Sequence, residues 1–218
     1  MSDPPPEVLY EDNHLLAVCK PAGTLTMGDR TGDVSMVDIA TEYLRVKYNK
    51  PGNVFVGVVH RLDRPVSGVL LFARTSKAAS RLSDQFRQGT VRKIYQAVVE
   101  GRIEAAQGTF VDWLLKNRTS NQVSVVPPGT PKAQHCELGY QVLSRLHGRL
   151  RLQIEPVTGR SHQIRVQLSS RGLPIVGDVK YGSPHRIGGR ILLHAVSLEF
   201  DHPTTKQRLS VSAPFDDR

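Results

Sequence analysis

Apolar positions in this 218-residue chain fall mostly into short runs bounded by turn residues, with helical spacing in only three places. Val8–Tyr10 and His14–Lys20 read as two short strands joined by Glu11-Asp12-Asn13, a turn composition. Lys20-Pro21-Ala22-Gly23 ends the second strand abruptly. Ser35 is placed to cap a helix running to about Tyr48, with Ile39, Tyr43 and Leu44 on its inner side. Val54–Val59 and Val69–Ala73 are β-branched and nearly free of charge, which predicts two buried strands. Between Ser76 and Gly89 the spacing of Ala79, Leu82 and Phe86 predicts a helix, with Gly89 at its C′ position. Lys93–Val99 follows as a strand carrying Tyr95 near its start.

Residues 108–155 read as antiparallel strands over Thr109–Leu115, Gln122–Val126, Gln134–Leu146 and Arg149–Glu155, separated by turns at Pro127-Pro128-Gly129 and His147-Gly148. Ser161 is a plausible N-cap for a short helix ending near Gly172, with Arg165 projecting from its first turns. Gly177–Gly182 is a compact loop, and Ile191–Phe200 and Arg208–Ser212 close the chain as strands. No internal repeat or long linker interrupts this order. The expected architecture is α+β: a flexible tail over residues 1–7, then a single domain over 8–218 with a mixed, mostly antiparallel sheet and flanking helices.

Charge sharpens the picture. The net charge of +9 points to an acidic partner, with nucleic acid ahead of membrane. It is unevenly spread: residues 1–59 carry a net −3, residues 61–102 a net +6 and residues 145–190 a net +7. A phosphate-binding face built from the two basic stretches is the economical inference. The two cysteines, Cys19 and Cys136, sit in apolar surroundings and read as buried free thiols of a reducing compartment. The start, Met1–Glu7, is polar and Pro-rich and carries no signal pattern. No apolar run approaches the roughly 20 residues of a membrane helix. A soluble, cytoplasmic protein is expected.

Candidate chemistry centres on His60-Arg61-Leu62-Asp63-Arg64-Pro65-Val66-Ser67-Gly68. Pro65 and Gly68 break the chain between two apolar runs, so Asp63 is expected in a turn that a rigid sheet aims into a cleft. Arg61 and Arg64 favour its ionised form; a solvated turn with an incidental ion pair is the competing reading. The chain holds no GxxxxGK[ST] loop, GxGxxG fingerprint, HExxH or CxxC pair, or GxSxG elbow, so no metal or nucleotide cofactor is expected. What remains is one acid, the strand residue Tyr95 and the helical Arg165. An ionised Asp can act at a sugar carbon without metal, and an aromatic can stack a base drawn out of its helix. The alternatives are a core tyrosine and a surface helix charge. The residues alone support nucleic-acid binding and leave action on a nucleotide open.

The segments HRLDRPVSG, KIYQAVVEG, PVTGRSHQIRVQL, GLPIVGDVKYG and LLHAVSLEF, in this order, resemble the RluA-type family of RNA pseudouridine synthases. VLYEDNHLLAVCKPAG is similar to that family's first segment, so the likeness runs from about Val8 to Pro203. The resemblance implies a central basic cleft and conversion of uridine in ribosomal or transfer RNA to pseudouridine. It implies Asp63 as the catalytic Asp, a nucleophile or base, Tyr95 as the active-site tyrosine and Arg165 as the basic partner of Asp63. Arg61 would serve base extrusion, Leu192 would line the uracil pocket, and His60, Arg64, Arg160 and His162 would contact RNA. No cofactor, metal or membrane is implied, and a monomer is expected. Val66 stands where the family usually has Thr, and the N-terminal S4-type module of many relatives is not expected before Val8. Two rival readings are a non-catalytic RNA-binding protein on the same fold and a nucleoside-cleaving glycosidase; the latter would not need the basic face.

Overall fold

In the computed structural model, which describes residues 4–117 and 119–216, the chain divides into two units: residues up to 92 together with 195–215, and residues 93–194. The expected tail lies partly outside the described residues, and the chain is already in a strand at Glu7. In the first unit Glu7–Glu11 (β1) and Leu15–Lys20 (β2) form an antiparallel hairpin. Its turn is closed by Asp12, whose carboxylate accepts from the amides of His14 and Leu15 at 2.7 and 2.8 Å. Met36–Lys47 (α1) begins in a reciprocal capping box between Ser35 and Asp38. Its buried stripe is Met36, Ala40 and Leu44. The expected inner residues Ile39 and Tyr43 are only half-buried.

The strand expected over Val54–Val59 shrinks to Gly57–Val58 (β3), and Phe55 stays 48% exposed. Apolar composition alone did not secure a ladder there. Ser67–Ala73 (β4) pairs antiparallel with β2 and β3. Ser76–Gln88 (α2) is capped by Thr75 and stopped by Gly89 in the left-handed conformation. Ala78 and Leu82 of α2 pack on Leu15, Ala17, Val69 and Leu71 of the two strands. Each fully buried leucine here contributes roughly 1.5–3 kcal/mol, more than a surface ion pair, so this face holds α2 in place. Leu193–Asp201 and Arg208–Ser212 pair antiparallel and complete the core through Leu198, Phe200 and Val211. Gly68 has φ 111°, and a Cβ there would lie 2.3 Å from the carbonyl oxygen of Ala195, so only glycine permits this approach.

The second unit holds Arg92–Glu100 (β5), Gln107–Asn117 (β6), Gln122–Val126 (β7), Gln134–Leu146 (β8) and Arg149–Pro156 (β9). These strands are ordered β5-β9-β8-β6-β7, all antiparallel. Gln163–Ser169 (α3) is short, and its residues from Gln163 to Leu168 are all buried. Val166 of α3 packs with Leu114, Val123, Cys136 and Tyr181. The α+β class expected from the sequence holds, and no described helix is long and apolar enough to cross a membrane.

Candidate active site

Asp63 sits in a turn just before β4, where the Val66 amide donates to the Asp63 carbonyl at 3.0 Å. The residue before it is gripped from both sides. Thr26 Oγ1 donates to the Leu62 carbonyl at 2.9 Å and accepts from the Leu62 amide at 3.2 Å. The residue after it is held as firmly. The Arg64 carbonyl accepts from the Gly23 amide at 2.8 Å and from Lys20 Nζ at 3.2 Å. Lys20 is fully buried, and its ammonium also donates to the carbonyls of Pro21 and Thr24 at 2.9 and 2.7 Å. Burial pushes its pKa down to about 7, against the attraction of the Asp63 carboxylate, which pulls it up. The turn is therefore fixed by groups outside it.

The other residues of the HRLD element divide by role. His60 Nε2 accepts from the Leu71 amide at 2.9 Å, and its ring stacks on Phe86 with centroids 4.9 Å apart. It thus anchors the loop to β4 and α2. Arg61 is exposed. Arg64 donates through Nε to the Gly23 carbonyl at 2.9 Å and pairs with Asp33 at 2.8 Å. Arg81 of α2 donates to the Pro203 carbonyl at 2.7 Å.

In the second unit Arg165 is not the surface charge that a helical position suggests; it is 6% exposed. Its guanidinium forms a two-pronged ion pair with Asp178 at 2.7 and 2.8 Å and lies over the Tyr181 ring at 4.9 Å. Burying a cation this deeply requires such a matched partner. Tyr181 in turn meets His162 Nδ1 at 2.6 Å and accepts from the Val123 amide at 3.1 Å. His162, not Ser161, precedes the first turn of α3, in a left-handed conformation with φ 53°. Arg160 is braced by its amide on Gln163 Oε1 at 3.0 Å and by Nε on the His135 carbonyl at 3.1 Å.

Tyr95 is half-buried on β5 opposite Ile154 of β9. Leu192 accepts from the Val98 amide at 2.9 Å, and both line a cavity of about 570 Å³ with Leu150, Arg151 and His185. Strand alternation puts Tyr95 on the opposite face of β5 from Val98. Lys20, Thr26 and Asp178 were not singled out from the sequence. The signal for Lys20 was its parity with Leu16 and Val18, which puts it on a buried face of β2.

The chain is similar to known proteins. Residues 14–170 match the family described as RNA pseudouridylate synthase. The chain is 34% identical over 218 residues to ribosomal large subunit pseudouridine synthase C of Vibrio parahaemolyticus, across 97% of this chain and 66% of that protein. It therefore spans about two-thirds of the length of that relative. It is 34% identical over 221 residues to dual-specificity RNA pseudouridine synthase RluA of Pasteurella multocida, across 98% of this chain and 94% of that protein. The solved structure of human RNA pseudouridylate synthase domain containing 4 shares the fold, with a TM-score of 0.81 at 22% identity over 97% of this chain and 89% of that one.

Proposed function

The chain belongs to the RNA pseudouridylate synthase family, in its RluA-type branch, and on that premise we propose that it isomerises specific uridines of structured RNA to pseudouridine. The reaction breaks the N1–C1′ bond of the target uridine, turns the freed uracil and rejoins it to the ribose through C5. Asp63 supplies the reacting carboxylate, either by attack at C1′ or by removing a proton from C2′. Tyr95 stacks on the uracil and moves the proton at C5. Arg165, held by Asp178 in the second unit, is the basic catalytic residue of this reading. Arg61 assists base extrusion, and Arg64, Arg160 and His162 contact the RNA. The mechanism calls for no cofactor and no metal. Residues 8–218 act as one catalytic domain, as a monomer in the cytoplasm.

The observation that carries this reading is the externally fixed turn at Asp63, with Leu62 and Arg64 each hydrogen-bonded to residues 20–26. A carboxylate carried on a backbone held this way loses less freedom on reaching its transition-state geometry. The relatives' names support ribosomal RNA ahead of transfer RNA as the substrate. Mapping pseudouridine across total RNA from cells with and without the gene tests the reading. At least one pseudouridine is expected to disappear on deletion and return with the intact gene. Identical maps would contradict it.

A further inference from the structure

We propose that a basic cleft at the Lys116 end of β6 binds the sugar–phosphate backbone of RNA, apart from the residues that carry the isomerisation. The inference rests on the functional reading above and extends the RNA contact assigned there to Arg160 to Lys116 and Lys132.

The cleft follows from strand register. Leu114 of β6 faces Gln134 of β8, and Lys116, two residues on, faces Val123 of β7. Leu114 and Val123 are each 3% exposed and form the apolar floor. Lys116, Lys132 and Arg160 stand around it, and among the described residues no Asp or Glu lines it. The open cleft holds about 520 Å³, inside the roughly 300–1,000 Å³ typical of ligand sites.

Two of the walls are held in place. Arg160 is braced on Gln163 and His135 as described. Lys132 ends a connection containing Pro127, Pro128 and Pro131, itself in a left-handed conformation at φ 66°. Lysine rarely adopts that conformation, which marks a tight backbone turn at this wall. Convergent cations over a small apolar floor match a ribose–phosphate chain, whose phosphates need charge and whose sugar has an apolar face. Three cations without a carboxylate would repel one another unless an anion joined them.

The test uses fluorescein-labelled polyuridylate of 20 nucleotides, with affinity measured by anisotropy across a salt series. Wild type is compared with Lys116→Gln/Lys132→Gln, both exposed positions, and with a charge-matched control, Lys50→Gln/Lys206→Gln. Two lost contacts to single-stranded RNA should reduce the slope of log affinity against log salt by roughly 1.4. Affinity at low salt should fall at least about tenfold, and the control should move far less. Equal slopes for wild type and the cleft variant, or an equal change in the control, would overturn the proposal. So would displacement of the RNA by polyglutamate as readily as by unlabelled polyuridylate, which would mark the cleft as a site for acidic peptide. Pseudouridine content is measured in total RNA treated with the wild-type protein alongside. No pseudouridine with a changed slope would remove the enzymatic reading and keep the cleft; pseudouridine with an unchanged slope would remove the cleft alone.

Discussion

The Lys20 ammonium lies 3.2 Å from the carbonyl oxygen of Arg64, tying the end of β2 to the residue that follows Asp63. A lysine with no exposed surface is an expensive way to make that tie. Its three carbonyl partners offset part of the desolvation, and the nearby Asp63 charge offsets more.

Stability should record this. Burial lowers the Lys20 pKa to about 7 in the folded chain, below the unfolded value of about 10.4. Between those values the unfolded state binds more protons, so stability rises with pH from about 7 upward. Urea unfolding at pH 7 and pH 9 should show wild type gaining about 1–2 kcal/mol relative to Lys20→Met. Using the difference between the two proteins cancels the opposing titration of Cys136, whose thiol burial raises to about 11. Equal pH dependence in both proteins would contradict the assignment.

The same lysine reports on Asp63. Removing the carboxylate removes the attraction that pulls the Lys20 pKa up. In Asp63→Asn the Lys20 side-chain resonance should therefore titrate at a lower pH than in wild type, read by NMR on lysine-labelled protein. A midpoint unchanged or raised would mean that the two groups do not sense each other.

The Arg165–Asp178 pair predicts a contrast between buried and exposed ions. Asp178→Asn takes away a two-pronged partner from a guanidinium only 6% exposed and should destabilise the fold by about 3–5 kcal/mol. Glu42→Gln breaks the pair with Arg45, where both side chains are at least half exposed, and should change stability by at most about 1 kcal/mol. Denaturant midpoints for the two variants decide it; similar losses would mean that burial does not set the value of the Arg165 pair.

These residues also show how far the chain could be read beforehand. The turn at Asp63 was legible because Pro65 and Gly68 leave few backbone choices between apolar runs. The strands of the second unit were legible from their period and turn residues. Arg165 was not, because α3 is too short to display an amphipathic stripe and is buried on all its faces. Its partner Asp178 lies 13 residues away, in what reads as a solvent loop, and only tertiary structure brings a loop acid to a buried helix. Lys20 read only as the end of a strand; its burial depends on the 21–26 segment, whose Thr24 carbonyl accepts from its ammonium. Val54–Val59 failed in the opposite direction, since apolar residues make a strand only where a ladder partner is available.

Tyr95 separates ring from hydroxyl. Tyr95→Phe keeps nearly the same volume on β5, so folding and RNA affinity should persist, while stacking alone is worth roughly 1–3 kcal/mol per base. Loss of proton transfer should slow pseudouridine formation by about 10²–10⁴-fold. Single-turnover assays with ordinary uridine RNA measure it. Full activity in the Phe variant would reduce Tyr95 to a stacking surface, and full activity in Tyr95→Leu would return it to the core.

The most direct test is pseudouridine formation by Asp63→Asn. Asparagine retains the shape of the side chain and removes its charge, and the backbone contacts of Leu62 and Arg64 that fix the turn do not involve the carboxylate. Purified wild type and variant are incubated with the same RNA, and pseudouridine is quantified by mass spectrometry of the digested nucleosides beside a filter-binding measurement of affinity. The account predicts that wild type accumulates pseudouridine, that the variant forms none above background, and that both bind RNA about equally. Appreciable turnover by the variant, with its sequence verified after the reaction, would contradict it.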